Sequence, residues 1–259
     1  MVLTGLDIYK KLPKTNCKKC SFPTCLAFAM ALAQKKAALD KCPDVSEEAK
    51  QALDAASLPP IATITIGVGD KKVTIGGETV MFRHEKRFYN QTGLALQVKD
   101  TLSSDDLQKR IKEINELVFE RVGMTVGVDL IAIVNESKDK TKFLDALKMV
   151  TELSLLPIIL VSEDVETLKA ALELCKDRKP LIYALDEKNK DAFLDLAKTS
   201  ACPLAIKGKN LEEAANFAQA ATSGGVKELV VDAGADVQNL TQMRRLALKK
   251  NYRPLGFPN

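Results

Sequence analysis

The sequence predicts an α/β protein of two parts: a small helical, cysteine-rich module and then a TIM-type (β/α)8 barrel, apparently incomplete at its carboxyl end. Three observations predict it. Four of the 6 cysteines, Cys17, Cys20, Cys25 and Cys42, crowd the amino-terminal segment. The run Leu58-Pro59-Pro60 then breaks the pattern as a linker. Beyond it, short β-branched runs alternate with amphipathic stretches. The domains drawn from these features are 1–57 and 58–259, the second lacking its last βα unit.

In the module, Gly5 to Leu12 reads as a short helix ended before Pro13, and Lys14 to Lys19 forms the loop that presents Cys17 and Cys20. Thr24 is a helix cap that puts Cys25 in the first turn, where free N–H groups and the positive dipole end favour an anionic ligand. Leu26, Ala29, Met30 and Ala33 continue that helix as one apolar face, to about Lys36. A further helix starts at Ser46, Glu47 and Glu48 and runs to about Ala56. The cysteines follow the order C-x2-C-x4-C-x16-C-P. Three thiolates in a short stretch can close on one face of an inorganic core while the fourth returns from a helix away, which suits a [4Fe-4S] cluster. Structural zinc more often pairs two C-x2-C knuckles, and the plant-type [2Fe-2S] order is the reverse of this one. Cys42-Pro43 matches the ligand-proline ending of bacterial ferredoxin motifs. The candidate metal and cofactor ligands are therefore Cys17, Cys20, Cys25 and Cys42. Lys14, Lys18, Lys19, Lys35, Lys36 and Lys41 surround them, as a docking face for an acidic redox partner or as a solvated rim.

In the second part the expected strands are Ala62 to Ile66, Leu94 to Val98, Leu130 to Val134, Ile158 to Val161, Leu181 to Tyr183, Leu204 to Ile206 and Leu229 to Val231. Runs this apolar imply parallel strands covered on both faces. Helices are expected at about 104–120, 140–151, 164–175, 188–199, 210–221 and 236–250. The alternation predicts a barrel, with an open doubly wound sheet as the alternative. An inserted hairpin is expected between Val73-Thr74-Ile75 and Thr79-Val80-Met81 across Gly76-Gly77. Gly67, Gly69, Gly76 and Gly77 are turn glycines, since none opens a helix after a strand. With no eighth strand before Asn259, that strand is expected from sequence or a molecule beyond this chain.

Residues just past the strand ends, Asp100, Asn135, Glu136, Ser162, Lys207 and Asp232, are where a barrel would place an active site. They form no diagnostic set, and the catalytic residues stay unknown. Lys207 and Asp232 suit an ion pair at the barrel mouth. His84, the only histidine, suits a structural role. Cys175 and Cys202 are expected as buried packing.

The balance of 38 Lys and Arg against 34 Asp and Glu is only +4, which argues against a nucleic-acid partner. No apolar run approaches the roughly 20 residues that span a bilayer, so no membrane partner is expected. Thiols used as ligands fit a reducing cytoplasm.

Three stretches together carry a family resemblance. They are Leu3-Thr4-Gly5-Leu6-Asp7-Ile8-Tyr9-Lys10, then Cys17-x-x-Cys20 through Pro23-Thr24-Cys25-Leu26-Ala27-Phe28-Ala29-Met30, and Gly77-Glu78-Thr79-Val80-Met81-Phe82-Arg83-His84-Glu85-Lys86. They resemble the large subunit of the corrinoid iron-sulfur protein, the gamma subunit of acetyl-CoA decarbonylase/synthase. Arg253-Pro254-Leu255-Gly256-Phe257-Pro258 is similar too, so the resemblance covers essentially the whole chain. It implies a [4Fe-4S] module held by Cys17, Cys20, Cys25 and Cys42, a TIM barrel, and a carboxyl-terminal corrinoid-binding domain. It also implies a heterodimer with a small barrel subunit. The family's cobalt takes a methyl group from methyl-tetrahydropterin through a methyltransferase and passes it to acetyl-CoA synthase/CO dehydrogenase. The implied job of the cluster is to return oxidised cobalt to Co(I). The corrinoid is expected to be absent from this chain, which ends before its domain would begin. The alternative is a stand-alone electron-transfer protein, because the same cysteine spacing resembles cluster domains of Rnf-type complexes.

Overall fold

The computed structural model describes residues 4–34, 36–46, 49, 50, 53, 59–234 and 236–259. The chain forms two compact units, Met1–Pro59 and Pro60–Asn259.

In the first unit, α1 (Gly5–Lys11) begins at a capping box in which the Thr4 side chain and Asp7 exchange hydrogen bonds. The helix α2 (Cys25–Ala33) is capped by Thr24. These two helices pack closely, since a Cβ on Gly5 would collide with the Met30 side chain. The core is Ile8, Leu12, Phe28, Ala29 and Leu53 together with Cys20, Cys25 and Cys42. The expected apolar face of α2 is rotated: Leu26 and Met30 are exposed, and Phe28 is buried in their place, its ring 5.3 Å from that of Phe22. The expected helix from Ser46 falls mostly outside the described residues, Glu47 and Glu48 included, as do Lys35 and Leu58. Its start is visible where the Ala49 N–H donates to Ser46 Oγ at 3.2 Å.

The second unit opens with a two-stranded antiparallel sheet of β1 (Thr63–Ile66) and β2 (Val73–Gly76). A six-stranded parallel sheet follows, built from β3 (Ala95–Lys99), β6 (Leu130–Val134), β7 (Ile158–Val161), β8 (Leu181–Leu185), β9 (Leu204–Lys207) and β10 (Leu229–Asp232). Its strands stand in the order they have along the chain. A doubly wound sheet reverses direction at a switch point; sequential order is barrel winding, and here it forms an open six-stranded run. The connecting helices are α3 (Ser104–Glu116), α4 (Lys140–Leu153), α5 (Val165–Cys175), α6 (Lys190–Ser200), α7 (Leu211–Ser223) and α8 (Val237–Lys250). Side chains of Ser103, Asp139, Asp164, Asn210 and Asp236 cap five of them, so five strand ends lead into a helix at a residue that satisfies the first free N–H groups.

Strand alternation divides the core. Val98, Ile131, Ile133, Ile158, Leu160, Ile182, Leu204 and Ile206 pack with the buried helix residues Ile111, Phe143, Leu147, Leu168 and Phe193. On the other face Ala95, Leu130, Ile159, Leu181, Ala205 and Val230, near the strand starts, pack with Ile66, Val73 and Ile75 of the β1–β2 hairpin.

Three expectations are corrected. Thr63–Ile66 is not a seventh parallel strand, because Gly67 and Gly69 at positive φ turn the chain straight back into β2. The inserted hairpin does not use Thr79 to Met81, which form no strand; the Glu85 carboxylate accepts the Met81 and Phe82 N–H groups at 3.1 and 3.2 Å. The helix expected to residue 120 stops at Glu116, and Val118–Arg121 and Met124–Gly127 form an exposed hairpin, β4 and β5, about Val122 and Gly123, both at positive φ. At the β10 edge the Val231 N–H donates to the Pro258 carbonyl at 2.8 Å, and Gly256 O accepts from Ala62 N–H at 2.8 Å. Among the described residues no helix is long and apolar enough to cross a membrane.

Candidate metal centre

The loop before α2 has an unusual backbone. Lys14, Asn16, Lys18 and Ser21 all take positive φ, between 50° and 66°, although none is glycine. Left-handed residues interleaved with ordinary ones turn N–H groups toward a common concavity, the anion-binding arrangement found around phosphates and iron-sulfur sites. One such group reaches sulfur here: the Asn16 N–H donates to Cys25 Sγ at 3.4 Å, while Asn16 Oδ1 accepts the Cys25 N–H at 2.8 Å. Cys25 also opens α2, with the positive end of the helix dipole on its thiol.

Cys42 arrives from the other side, after a short 3-10 turn at Leu39–Lys41. Burial pushes its thiol up, the Asp44 backbone N–H opposes this by donating to sulfur, and the charges of Cys20, Cys17 and Cys25 push it up further. Cys42 therefore lies close enough to Cys20, Cys17 and Cys25 for their charges to be felt at its sulfur, a repulsion that a bound cation would relieve. Cys20, Cys25 and Cys42 are buried and Cys17 is exposed, and all four are free. At the exposed end, Cys17 Sγ donates to Asp44 Oδ2 at 3.5 Å, and Lys19 Nζ holds the same carboxylate at 3.2 and 3.3 Å. Among the described residues, no three His, Cys, Asp or Glu side chains are gathered as the ligand set of a single metal ion. Lys14, Lys18, Lys36 and Lys41, which flank the cysteines in sequence, are exposed. The positive-φ loop and Asp44 escaped sequence reasoning; only Asn16 carried a signal, as a residue type that tolerates left-handed geometry.

The strand-end residues of the second unit serve one another. Asp100 is buried, and its carboxylate accepts from the Glu136 and Ser137 N–H groups at 2.9 and 3.0 Å and from the Ser137 hydroxyl at 2.6 Å. Glu136 is held by Lys99 at 2.7 Å and Thr101 at 3.0 Å, and these bonds lower its carboxyl, Lys99 most. The Asn135 amide donates to Ser162 Oγ at 2.9 Å. Lys207 and Asp232 are neighbours in register but do not pair; Asp232 accepts from the Tyr183 hydroxyl at 2.5 Å and the Gly234 N–H at 2.9 Å. Tyr183, unmarked in the sequence, has its hydroxyl pushed up by burial and then by that carboxylate. A cavity of about 580 Å³ lies at these strand ends, lined by Asn135, Ser162, Tyr183 and Lys207 among others. His84 is exposed and stacks on Phe82 at 5.5 Å. Cys175 and Cys202 are buried, their thiols bonded to the Ala171 and Ser200 carbonyls.

Comparison with known proteins supplies an independent line. The family model described as "CO dehydrogenase/acetyl-CoA synthase delta subunit" matches residues 63–259. A second, described as "Putative Fe-S cluster", matches residues 12–43, a span that contains all four clustered cysteines. The chain is 47% identical over 263 residues to the corrinoid/iron-sulfur protein large subunit of Moorella thermoacetica, covering 100% of this chain and 59% of that relative. It is 38% identical over 267 residues to the acetyl-CoA decarbonylase/synthase complex subunit gamma of Methanothermobacter thermautotrophicus, covering 100% of this chain and 58% of that one. The gamma subunit of Methanocaldococcus jannaschii is 34% identical, with 99% of this chain and 55% of the relative covered. The chain thus spans little more than half the length of these relatives.

Proposed function

Because the chain belongs to the CO dehydrogenase/acetyl-CoA synthase delta-subunit family, with corrinoid/iron-sulfur protein large subunits among its relatives, we propose that it is the electron-transfer and scaffold portion of a corrinoid methyl carrier. Its amino-terminal unit is an Fe-S module. In this reading Cys17, Cys20, Cys25 and Cys42 hold a [4Fe-4S] cluster. The observation that carries it is the sulfur set inside the matched span, met by backbone N–H groups from Asn16 and Asp44. A lone zinc ion with Zn–S near 2.3 Å needs sulfurs only ~3.8 Å apart. The C-x2-C-x4-C-x16-C-P order, with no second C-x2-C knuckle, is what favours the larger core over zinc.

When bound, the cluster supplies single electrons at low potential, and its use here is to return oxidised cobalt to Co(I). The chain's own residues prepare for it. Cys20, Cys25 and Cys42 exclude water from most of the ligand set, while exposed Cys17 marks the side nearest an electron donor. The Asn16 and Asp44 N–H groups and the first turn of α2 offset the negative charge of thiolate ligands. The second unit presents a six-stranded sheet whose strand-end carboxylates are held by neighbouring groups, Asp100 by the loop after β6, Glu136 by Lys99 and Thr101, and Asp232 by Tyr183.

The whole carrier's activity follows from the same reading. It accepts a methyl group from methyl-tetrahydropterin through a methyltransferase and delivers it to acetyl-CoA synthase/CO dehydrogenase. The corrinoid is carried outside residues 1–259, a small subunit pairs with this one, and the assembly works in the cytoplasm. The test is anaerobic purification with iron, sulfide and metal analysis and EPR of the reduced protein. Iron and sulfide in cubane proportion with a reduced-cluster signal support the proposal; stoichiometric zinc without sulfide refutes it.

A further inference from the structure

We propose that Asp44 and Lys19 are positioning residues that set the reduction potential of the cluster, the carboxylate lowering it and the ammonium raising it. The proposal rests on the cluster reading above. Asp44 stands two residues past Cys42 in the chain. Its carboxylate lies 3.5 Å from Cys17 Sγ, the exposed member of the set. With a free thiol that contact is an S–H···O hydrogen bond. Once metal replaces the thiol proton, the sulfur has nothing to donate, and a fixed negative charge faces an anionic ligand.

Lys19 makes this arrangement tolerable. Its Nζ reaches both Asp44 oxygens, at 3.2 and 3.3 Å, and so screens the carboxylate from the sulfur. Reduction adds an electron to the cluster. A nearby negative charge opposes that step and a nearby positive charge favours it. The Asp44 side chain is 34% exposed and that of Lys19 58%, so both effects are screened by water and weaken with salt. They act on the one exposed member of the four cysteines.

The experiment uses the whole chain purified without oxygen, as it stands and as Asp44→Asn, Lys19→Gln and the double variant, each titrated electrochemically with EPR detection. Asp44→Asn should raise the midpoint potential by about a tenfold change in the one-electron equilibrium constant, which is about 59 mV. Lys19→Gln should lower it, by less at high salt, and the double variant should return toward the unchanged chain. Variants that load iron and sulfide normally and all titrate together overturn the proposal while leaving the cluster reading intact. If Asp44→Asn fails to load, Lys19→Gln decides alone: a downward shift supports the pair and no shift overturns it. Unchanged chain without iron or sulfide overturns both readings at once.

Discussion

Replacing Asp100 with alanine should destabilise the second unit by about 3 kcal/mol, the sum of three lost hydrogen bonds to a buried carboxylate. Asp100 is 5% exposed and ties the end of β3, the edge strand, to the loop after β6. It accepts the Glu136 and Ser137 N–H groups at 2.9 and 3.0 Å and the Ser137 hydroxyl at 2.6 Å. An orphaned donor costs roughly 1–3 kcal/mol. Water reaches this loop, because Glu136 is exposed and Ser137 half-buried, so each bond is taken near the lower limit. Asparagine is the control. Its carbonyl oxygen still accepts both N–H groups and its amide meets a Ser137 hydroxyl that turns from donor to acceptor, for a cost of ~1 kcal/mol or less. Urea unfolding followed by circular dichroism reads the difference as a change in midpoint at constant slope. In a thermal scan the alanine variant should melt roughly 6–12 °C lower. An alanine variant within ~0.5 kcal/mol of the unchanged chain, or an asparagine variant as damaged as alanine, would show that the carboxylate is not the staple described.

Three other outcomes are expected. Burial holds the Cys175 thiol up at about 12, so the folded state keeps a proton that the unfolded state has lost above pH ~9. That contribution to stability is complete below pH ~9 and falls by up to ~1.4 kcal/mol per pH unit between ~9 and ~12, and Cys175→Ala should flatten that part of a stability-against-pH curve. Gly76 has φ +83° and a Cβ there would collide with the Ala62 carbonyl, whereas Gly69, at φ +66°, faces open space. Gly76→Ala should therefore cost about 2–4 kcal/mol and Gly69→Ala about 1, read as melting temperatures. Cys25→Ala, which removes the sulfur met by Asn16 at the start of α2, should abolish iron and sulfide retention under anaerobic gel filtration.

Legibility followed burial. Leu130 to Val134 and Ile158 to Val161 are found at their expected bounds, because strands buried on both faces leave unbroken apolar runs. Thr63–Ile66 misled for the converse reason: its alternate residues are half-exposed, so it belongs to a hairpin covered on one face, and its β-branched run looks the same in sequence. At the end of α3 the periodicity of Ile111 and Ile114 continues into Val118, so helical spacing runs on although the helix has ended. The open six-stranded run differs from the expected seven only by that first strand.

The candidate centre divides in the same way. The candidate ligands were legible as a set, because sulfur chemistry depends on residue type and spacing, and both are written along the chain. The electrostatic setting was not. Lys14, Lys18 and Ser21 take left-handed conformations that their side chains do not favour, so nothing local announces the loop geometry. Asp44 meets Cys17 across 27 residues, and Tyr183 meets Asp232 across 49, over an intervening strand. Such contacts exist only once the turns and strand order are set. A spacing motif can therefore nominate the atoms that would bind a cluster, whereas the groups proposed to tune its potential, Asp44 and Lys19, lie outside that motif. Relatives with the same four cysteines but a different residue at position 44 or 19 should accordingly hold the same core at a different potential.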